Sequence, residues 1–65
     1  MKDRNVLQAK INRCDDNPLV WEIILGYLDA EYNQMTMYHQ LTDHYEGDQK
    51  SSDTIAWEIS DWENG

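Results

Sequence analysis

His39 and Asp43 have the spacing that first suggests chemistry, because residues four apart lie on one face of a helix. His44, Glu46 and Asp48 follow closely, and imidazole and carboxylate groups both bind metal ions. A structural zinc site usually has four ligands, and a catalytic zinc site has three within an ordered surrounding shell. No HExxH-like pair is present. We therefore predict no metal site and interpret the two histidines as polar residues at a solvated helix end.

Other catalytic and cofactor-binding patterns are also missing from the sequence. The acids after Glu46 do not follow the spacing of a calcium loop, and Gly26, Gly47 and Gly65 lie outside any phosphate-binding glycine pattern. Cys14 would need a base beside it in a dry pocket to act as a nucleophile, and we expect it to be a small core residue instead. The sequence predicts a non-enzymatic protein that needs no cofactor.

The net charge of −8 is concentrated in one part of the chain. Residues 1–28 contain four acids and four bases, whereas residues 29–65 contain nine acids and only Lys50 as a base. Such a surface repels nucleic-acid phosphate and anionic lipid, and it attracts basic proteins. The longest apolar run is Ile23 to Leu25, far below the ~20 residues of a membrane span. We predict neither direct nucleic-acid binding nor membrane insertion.

The acids near the C-terminus are mixed with aromatic residues, and this mixture points to a protein interface. On a helix, Trp57 would lie about 200° from both Ile55 and Ile59, so one aromatic face would remain outside a small core. Exposed tryptophan among carboxylates is typical of interfaces that bind arginine and lysine. The predicted partner-binding residues are Asp43, Glu46, Asp48, Asp53, Trp57, Glu58, Asp61, Trp62 and Glu63.

A short N-terminal helix and a long central helix are predicted ahead of this region. Leu7, Ile11 and Cys14 recur at helical spacing and predict a helix over about 4–14. Asn17 is a good N-cap and Pro18 suits the first helical position, so a central helix should begin there and run over about 18–46. Its weak points are Gly26 and the stretch 33–36, and a break at either would give two helices instead.

The end of the chain predicts a loop and then a short helix. Gly47 suits the position just past a helix end, and the following polar residues predict a loop with Ser52 as the next N-cap. Ile55, Trp57 and Ile59 alternate like a strand, but no partner strand is evident, which favours a helix over about 53–63. The predicted fold class is all-α, a helical hairpin or three-helix bundle.

The length and the cysteine content predict the general setting of the protein. A chain of 65 residues is expected to form a single small acidic domain over residues 1–65. One cysteine cannot form an internal disulfide, and no segment resembles a signal peptide. We therefore expect a cytoplasmic protein, or one in the host cytoplasm if it is encoded by a phage.

The first functional hypothesis is an inhibitor that binds the basic nucleic-acid-binding surface of another protein, with its acids in place of phosphates. In size, charge and helicity the chain is similar to the small acidic inhibitors that phages and mobile elements use. The targets of such inhibitors are nucleases, CRISPR effectors, restriction enzymes and transcription regulators. The similarity lies in composition alone, and no motif assigns the chain to a family.

The alternative is a helical adaptor or antitoxin-like module that acts through an apolar stripe on the central helix. On this hypothesis the stripe packs against a partner helix or against a second copy in a homodimer, and the charge serves solubility. Methionine in the stripe would suit an irregular apolar surface. The stripe consists of Tyr32, Met35, Tyr38, Leu41 and Tyr45.

Overall fold

The computed structural model describes residues 2–65, and this part of the chain forms four α-helices. They are α1 (Arg4–Cys14), α2 (Pro18–Leu28), α3 (Gln34–His44) and α4 (Gln49–Asn64). Helix α2 packs on α3, α1 packs on α4, and α3 also contacts α4. The all-α class and the first helix are as predicted. No helix in the described residues combines the length and apolar character needed to cross a membrane.

A side-chain N-cap begins each helix. In each case an Asp or Asn side chain accepts a backbone N–H from the first turn, at distances between 2.8 and 3.1 Å. Each such cap contributes about 1 kcal/mol, because it satisfies a backbone donor that has no partner within the helix. The start of α2 at Asn17 and Pro18 is confirmed. The four caps are Asp3, Asn17, Asn33 and Asp48.

The predicted long helix over about 18–46 is wrong, because the chain turns back at residues 29–33. Ala30 has a left-handed φ of 63°, which ends α2. The Ala30 N–H donates to the carbonyl of Tyr27 at 3.1 Å, and the Glu31 N–H donates to that of Gly26 at 2.9 Å. This pair of bonds is a Schellman motif, which satisfies carbonyls at a helix end. The two-helix alternative is the one observed, with Asn33 as the new N-cap.

Tyr32 holds this turn against α2. Its hydroxyl donates to the carbonyl of Ile23, and its ring lies directly on Gly26. A Cβ at position 26 would overlap the phenol ring, so glycine provides the space that the ring occupies. Gly26 therefore lies within α2 and makes room for the returning chain, although the sequence marked it as a place where the helix could break.

Arg4 of α1 binds the C-terminal end of α2. Its guanidinium donates to the Asp29 carboxylate at 2.8 Å and to the Leu28 carbonyl at 3.2 Å. A cation at this position also interacts favourably with the negative end of the helix dipole. An unbroken helix over 18–46 would be roughly 42 Å long, whereas the longest dimension of the molecule is 33 Å. Turning back brings the apolar faces of α2 and α3 together.

Helix α4 begins earlier than the predicted 53–63, and Ser52 is not its N-cap. Asp48 caps the helix, and Ser52 is buried within the first turns with its hydroxyl donating to the Asp48 carbonyl at 3.3 Å. Gly47 has the expected positive φ, 87°, but the residue that first turns left-handed after α3 is Glu46, at 55°. The segment after Gly47 is therefore helical from Gln49 onward.

The core takes two side chains from each helix, always four residues apart. All eight are at most 1% exposed. A spacing of four places both members of a pair on the same helix face, so each helix buries one narrow stripe. The pairs are Leu7 and Ile11, Val20 and Ile24, Met37 and Leu41, and Ile55 and Ile59.

Substitution of Ala30 by glycine tests the turn between α2 and α3. Left-handed backbone costs alanine about 1–2 kcal/mol and costs glycine little, so Ala30→Gly should raise the free energy of unfolding by about 0.5–1 kcal/mol. Urea denaturation measures the change. The matched control is Ala9→Gly, at an exposed position inside α1, which should lower stability by about 0.5–1 kcal/mol. Equal losses in both variants would contradict a left-handed Ala30.

Candidate functional site

The outward side of α4 carries the most exposed large apolar side chain of the described residues. Trp57 is 77% exposed, while Ile55 and Ile59 on the opposite side of the helix are buried. The exposed indole is therefore the aromatic face that the helical geometry predicted. Its exposed neighbours lie three or four residues away along the helix. We define the α4 face as Trp57, these exposed neighbours and the partly exposed Glu58, that is, Asp53, Thr54, Trp57, Glu58, Ser60 and Asp61.

Two open depressions adjoin the Trp57 indole along the helix. The one toward the start of α4 has a volume of about 410 Å³, and its acids are Asp53 and Glu58. The other, toward the C-terminus, has a volume of about 310 Å³ and contains Asp61 as its acid. Each depression thus combines an indole wall with carboxylate. The remaining lining residues are Lys50 and Thr54 in the first and Ser60 and Asn64 in the second.

Two of the acids that border the depressions beside Trp57 are positioned by neighbouring helices. Asp53 accepts a hydrogen bond of 2.6 Å from the Tyr38 hydroxyl, and the bonded carboxylate raises the pKa of Tyr38. Asp61 forms an ion pair with Lys10 at 3.3 Å, yet its side chain remains 78% exposed. An exposed pair of this kind contributes little to stability. Both carboxylates therefore have preferred positions while staying accessible.

The predicted acids at 43, 46 and 48 lie at the corner between α3 and α4. All three are exposed. Asp48 is already engaged, because it accepts the backbone N–H groups of Lys50 and Ser51 and the Ser51 hydroxyl. These hydrogen bonds, with that of Ser51 first, lower the pKa of Asp48. Asp43 and Glu46 lie outside the α4 face and form a separate acidic corner with Asp48.

Trp62 and Glu63 point toward the rest of the protein. Trp62 is half-buried against the core, and its indole N–H donates to the Asp3 carbonyl at 3.0 Å. Glu63 accepts the Tyr27 hydroxyl at 2.9 and 3.1 Å through its two oxygens. The predicted partner-binding set is therefore divided: Asp53, Trp57, Glu58 and Asp61 lie together, while Trp62 and Glu63 connect α4 to other parts of the chain.

The predicted apolar stripe is divided in the same way between the core and the surface. Leu41 is fully buried within the chain, and Met35 is 69% exposed. Tyr32 and Tyr45 are half-buried against the core. The Tyr38 hydroxyl reaches across to α4. These five residues do not form one continuous exposed face in the isolated chain.

Hydrogen bonds from tyrosine hydroxyls to carboxylates on other helices could not be predicted from the sequence. Tyr27 connects α2 to α4, and Tyr38 connects α3 to α4. Tyr45, at the end of α3, donates to Asp15 at the end of α1 at 2.8 Å. The only available signal was composition, four tyrosines in an acidic chain, and composition does not say which pairs meet.

Cys14 is exposed, so its predicted place in the core is wrong. It lines a depression of about 240 Å³ together with Asp15 and Tyr45. Partial burial and the negative charges of Glu58 and Asp15 raise the pKa of its thiol. A raised pKa leaves less thiolate at neutral pH, which lowers nucleophilicity. Within residues 2–65, no group of three or more His, Cys, Asp and Glu residues is arranged to hold a metal ion.

Comparison of the chain with protein-family models, curated proteins and solved structures finds no match.

Truncation of the two C-terminal tryptophans should separate their roles. Trp57→Ala should change the free energy of unfolding by less than about 0.5 kcal/mol, because the indole is exposed. Trp62→Ala should lower it by about 2–3 kcal/mol, because a half-buried indole and its hydrogen bond are lost. Urea denaturation of both variants gives the comparison. A large loss in Trp57→Ala would show that this side chain packs within the chain.

The Tyr45–Asp15 hydrogen bond should give stability a defined pH range. A backbone N–H from Asn17 and the Tyr45 hydroxyl lower the pKa of Asp15, while burial and Asp15 raise that of Tyr45. The contribution of Asp15 is present above its unfolded value of about 4 and is lost as pH falls through the lower folded value. The contribution of Tyr45 is present below about pH 10 and is lost as pH rises toward its raised folded value.

Tyr45→Phe should therefore lower stability by about 1 kcal/mol at neutral pH and make the alkaline decline above pH 10 shallower. Asp15→Asn should make the acid decline shallower. Thermal unfolding followed across the pH range measures both slopes. Asp16→Asn, at an exposed neighbouring acid, is the control and should leave both slopes unchanged. Unchanged slopes in the Tyr45 and Asp15 variants would contradict the contact.

Proposed function

We propose that this chain is a non-catalytic acidic protein that binds a basic, nucleic-acid-binding surface of another protein through the α4 face. Its carboxylates occupy positions that nucleic-acid phosphates would otherwise take, so binding inhibits the partner by competition. Partners with such surfaces include nucleases, CRISPR effectors and transcription regulators. Neither a cofactor nor direct contact with nucleic acid is part of this proposal.

The exposure of Trp57 is the observation that carries the proposal. A tryptophan side chain covers 150–250 Å², and burying an apolar surface of this size contributes on the order of 4–6 kcal/mol before the costs of association. The indole projects from the middle of the regular helix α4 and not from an irregular chain end. Tryptophan is also enriched among the few residues that dominate binding energies at protein interfaces.

Charge selects the kind of partner. Within residues 2–65 only two ion pairs are formed, Arg4 with Asp29 and Lys10 with Asp61. Most of the thirteen acids therefore have no cationic partner in this part of the chain, and the net charge of the full sequence is −8. Such a field accelerates encounter with a basic surface and disfavours an acidic one. Trp57 supplies the contact at the centre, and the carboxylates around it match cations on the partner.

The adaptor and homodimer hypothesis has weaker support. Leu41, in the middle of its stripe, is part of the chain's own core, and Met35 is the stripe's strongly exposed member. A second copy would also bring another eight net negative charges to the contact. Analytical ultracentrifugation at working concentration separates the hypotheses, since a 7.7 kDa species favours action as a monomer on a different protein.

Removal of charge from the α4 face tests the proposal. The variant Asp53→Asn, Glu58→Gln and Asp61→Asn keeps side-chain size, and the new amide oxygen at position 53 can still accept the Tyr38 hydroxyl. The assay measures displacement of labelled DNA or RNA from a panel of purified nucleases, CRISPR effectors and transcription regulators. We expect the wild-type chain to displace nucleic acid from at least one of them, with affinity falling steeply as salt rises. The variant should lose at least tenfold in affinity.

The matched control removes three charges from other parts of the surface. Asp16→Asn, Glu22→Gln and Glu31→Gln, all at exposed positions, change the net charge by the same amount. We expect this control to lose less than about threefold in affinity, because only the long-range field is weakened. Circular dichroism should show unchanged helix content in both variants. Full activity of the α4 variant, or equal losses in the two, would refute the assignment of the face.

A further inference from the structure

We propose that the α4 face recognises arginine in preference to lysine, with two guanidinium groups of the partner stacked on opposite sides of the Trp57 indole. This inference depends on the proposed function, because it specifies the chemistry of the basic surface that the α4 face binds. It specifies which cationic side chain is preferred, because electrostatic attraction alone would not distinguish arginine from lysine.

The arrangement around Trp57 provides both parts of an arginine site twice. The indole borders two depressions, of about 410 and 310 Å³. Carboxylate from Asp53 and Glu58 lies in the first, together with the single ammonium group of Lys50, and carboxylate from Asp61 lies in the second. Each depression therefore offers an aromatic surface for stacking and an acceptor for hydrogen bonds. The Trp57 side chain is 77% exposed, so most of its surface is open to a partner.

A guanidinium group can contact the aromatic surface and the carboxylate acceptor at the same time, and an ammonium group cannot do so equally well. The planar guanidinium stacks flat on an indole while its N–H groups donate in the same plane to a carboxylate. Ammonium is a compact and strongly hydrated charge, so a lysine that contacts the ring gives up more hydration. Tryptophan is the aromatic side chain that binds cations most strongly. An exposed stack of this kind corresponds to a factor of roughly two to five in affinity for each arginine.

The positions of the acids also define the spacing of the two arginines. Asp53 and Asp61 are eight residues apart, about 12 Å along the helix axis, with Trp57 midway between them. Two guanidinium planes in contact with opposite sides of one ring are about 7 Å apart. Arginines at i and i+4 on a partner helix have Cβ atoms about 5–6 Å apart, which suits this separation.

The ion pair already present identifies one competing cation. Lys10 holds Asp61 at 3.3 Å with much of the carboxylate still exposed. A partner arginine that stacks on Trp57 and donates to Asp61 would displace Lys10 from this weak surface contact. Asp53 accepts a hydrogen bond from the Tyr38 hydroxyl and forms no ion pair with a cation of residues 2–65. Both acceptors are therefore available to arginine.

Two helical peptides provide the probe. Both have the same alanine-rich sequence and net charge, and they differ only in carrying either two arginines or two lysines at i and i+4. The dissociation constants are measured by NMR titration of the ¹⁵N-labelled full chain, following the indole N–H signals of its tryptophans. We expect the arginine peptide to bind about tenfold more tightly and to shift the Trp57 indole signal, while the Trp62 signal stays in place.

Trp57→Leu supplies the decisive variant, because it keeps an apolar side chain and every acid but removes the ring. It should bind both peptides with equal, salt-dependent affinity. Leu19→Ala, at an exposed apolar position on α2, is the control and should keep the preference for arginine. Preference for arginine that persists in Trp57→Leu would overturn the inference.

The results also separate this inference from the proposed function. Equal binding of the two peptides to the wild-type chain, with the Trp57 signal shifted, would overturn the arginine preference and leave the α4 face as a general cation-binding surface. Absence of any shift at Trp57, together with failure of the nucleic-acid displacement assay, would overturn both. Failure of the peptides alone, while displacement depends on the α4 face, would overturn only the arginine inference.

Discussion

The fold depends on one constraint, the burial of a single pair of apolar side chains from each of four short helices. Each helix buries only one pair completely, and partly buried side chains, most of them on α2, pack around these pairs, so each pair is covered only when the other helices are in place. A core of eight side chains leaves little surplus stability in a chain of 65 residues. Polar contacts between helices, from Arg4 on α2 to the tyrosine hydroxyls on carboxylates, therefore matter more here than in a larger domain.

The local signals in the sequence predicted where α1 and α2 begin, but not where the chain turns back. Asn17 and Pro18 act within one turn of helix, so their effect is visible without tertiary structure. The turn after α2 uses Ala30 in a conformation that alanine disfavours, and it is stabilised by Tyr32 and Arg4 from outside the helix. The apolar spacing continues across the turn, which is why the pattern predicted one long helix. Gly26 is recognisable in the sequence as a helix-weakening residue. The reason for glycine at this position is its contact with the Tyr32 ring, and that contact depends on the tertiary structure.

The candidate site was predictable to the extent that it depends on one helix. The angle between Trp57 and the two buried isoleucines is fixed by helical geometry, so exposure of the indole followed from spacing alone. The inward placement of Trp62 and Glu63 depends on where Asp3 and Tyr27 lie, and these belong to other parts of the chain. Acids that are close in sequence therefore lie in different settings: on the exposed α4 face, in a helix cap, or in hydrogen bonds within the chain. Composition does not predict which acid lies in which setting.

The bare indole on α4 also affects how copies of the protein behave toward each other. Proteins with exposed tryptophan tend to self-associate. Here the carboxylates that border Trp57 place negative charge around it in every copy, so two copies repel each other. Mutual repulsion between negatively charged copies opposes association in dilute buffer, and its range shrinks to about 8 Å at physiological ionic strength. The same acids would therefore serve two purposes if the proposed function holds: concentrated salt would weaken the attraction to a basic partner and also the repulsion that opposes self-association.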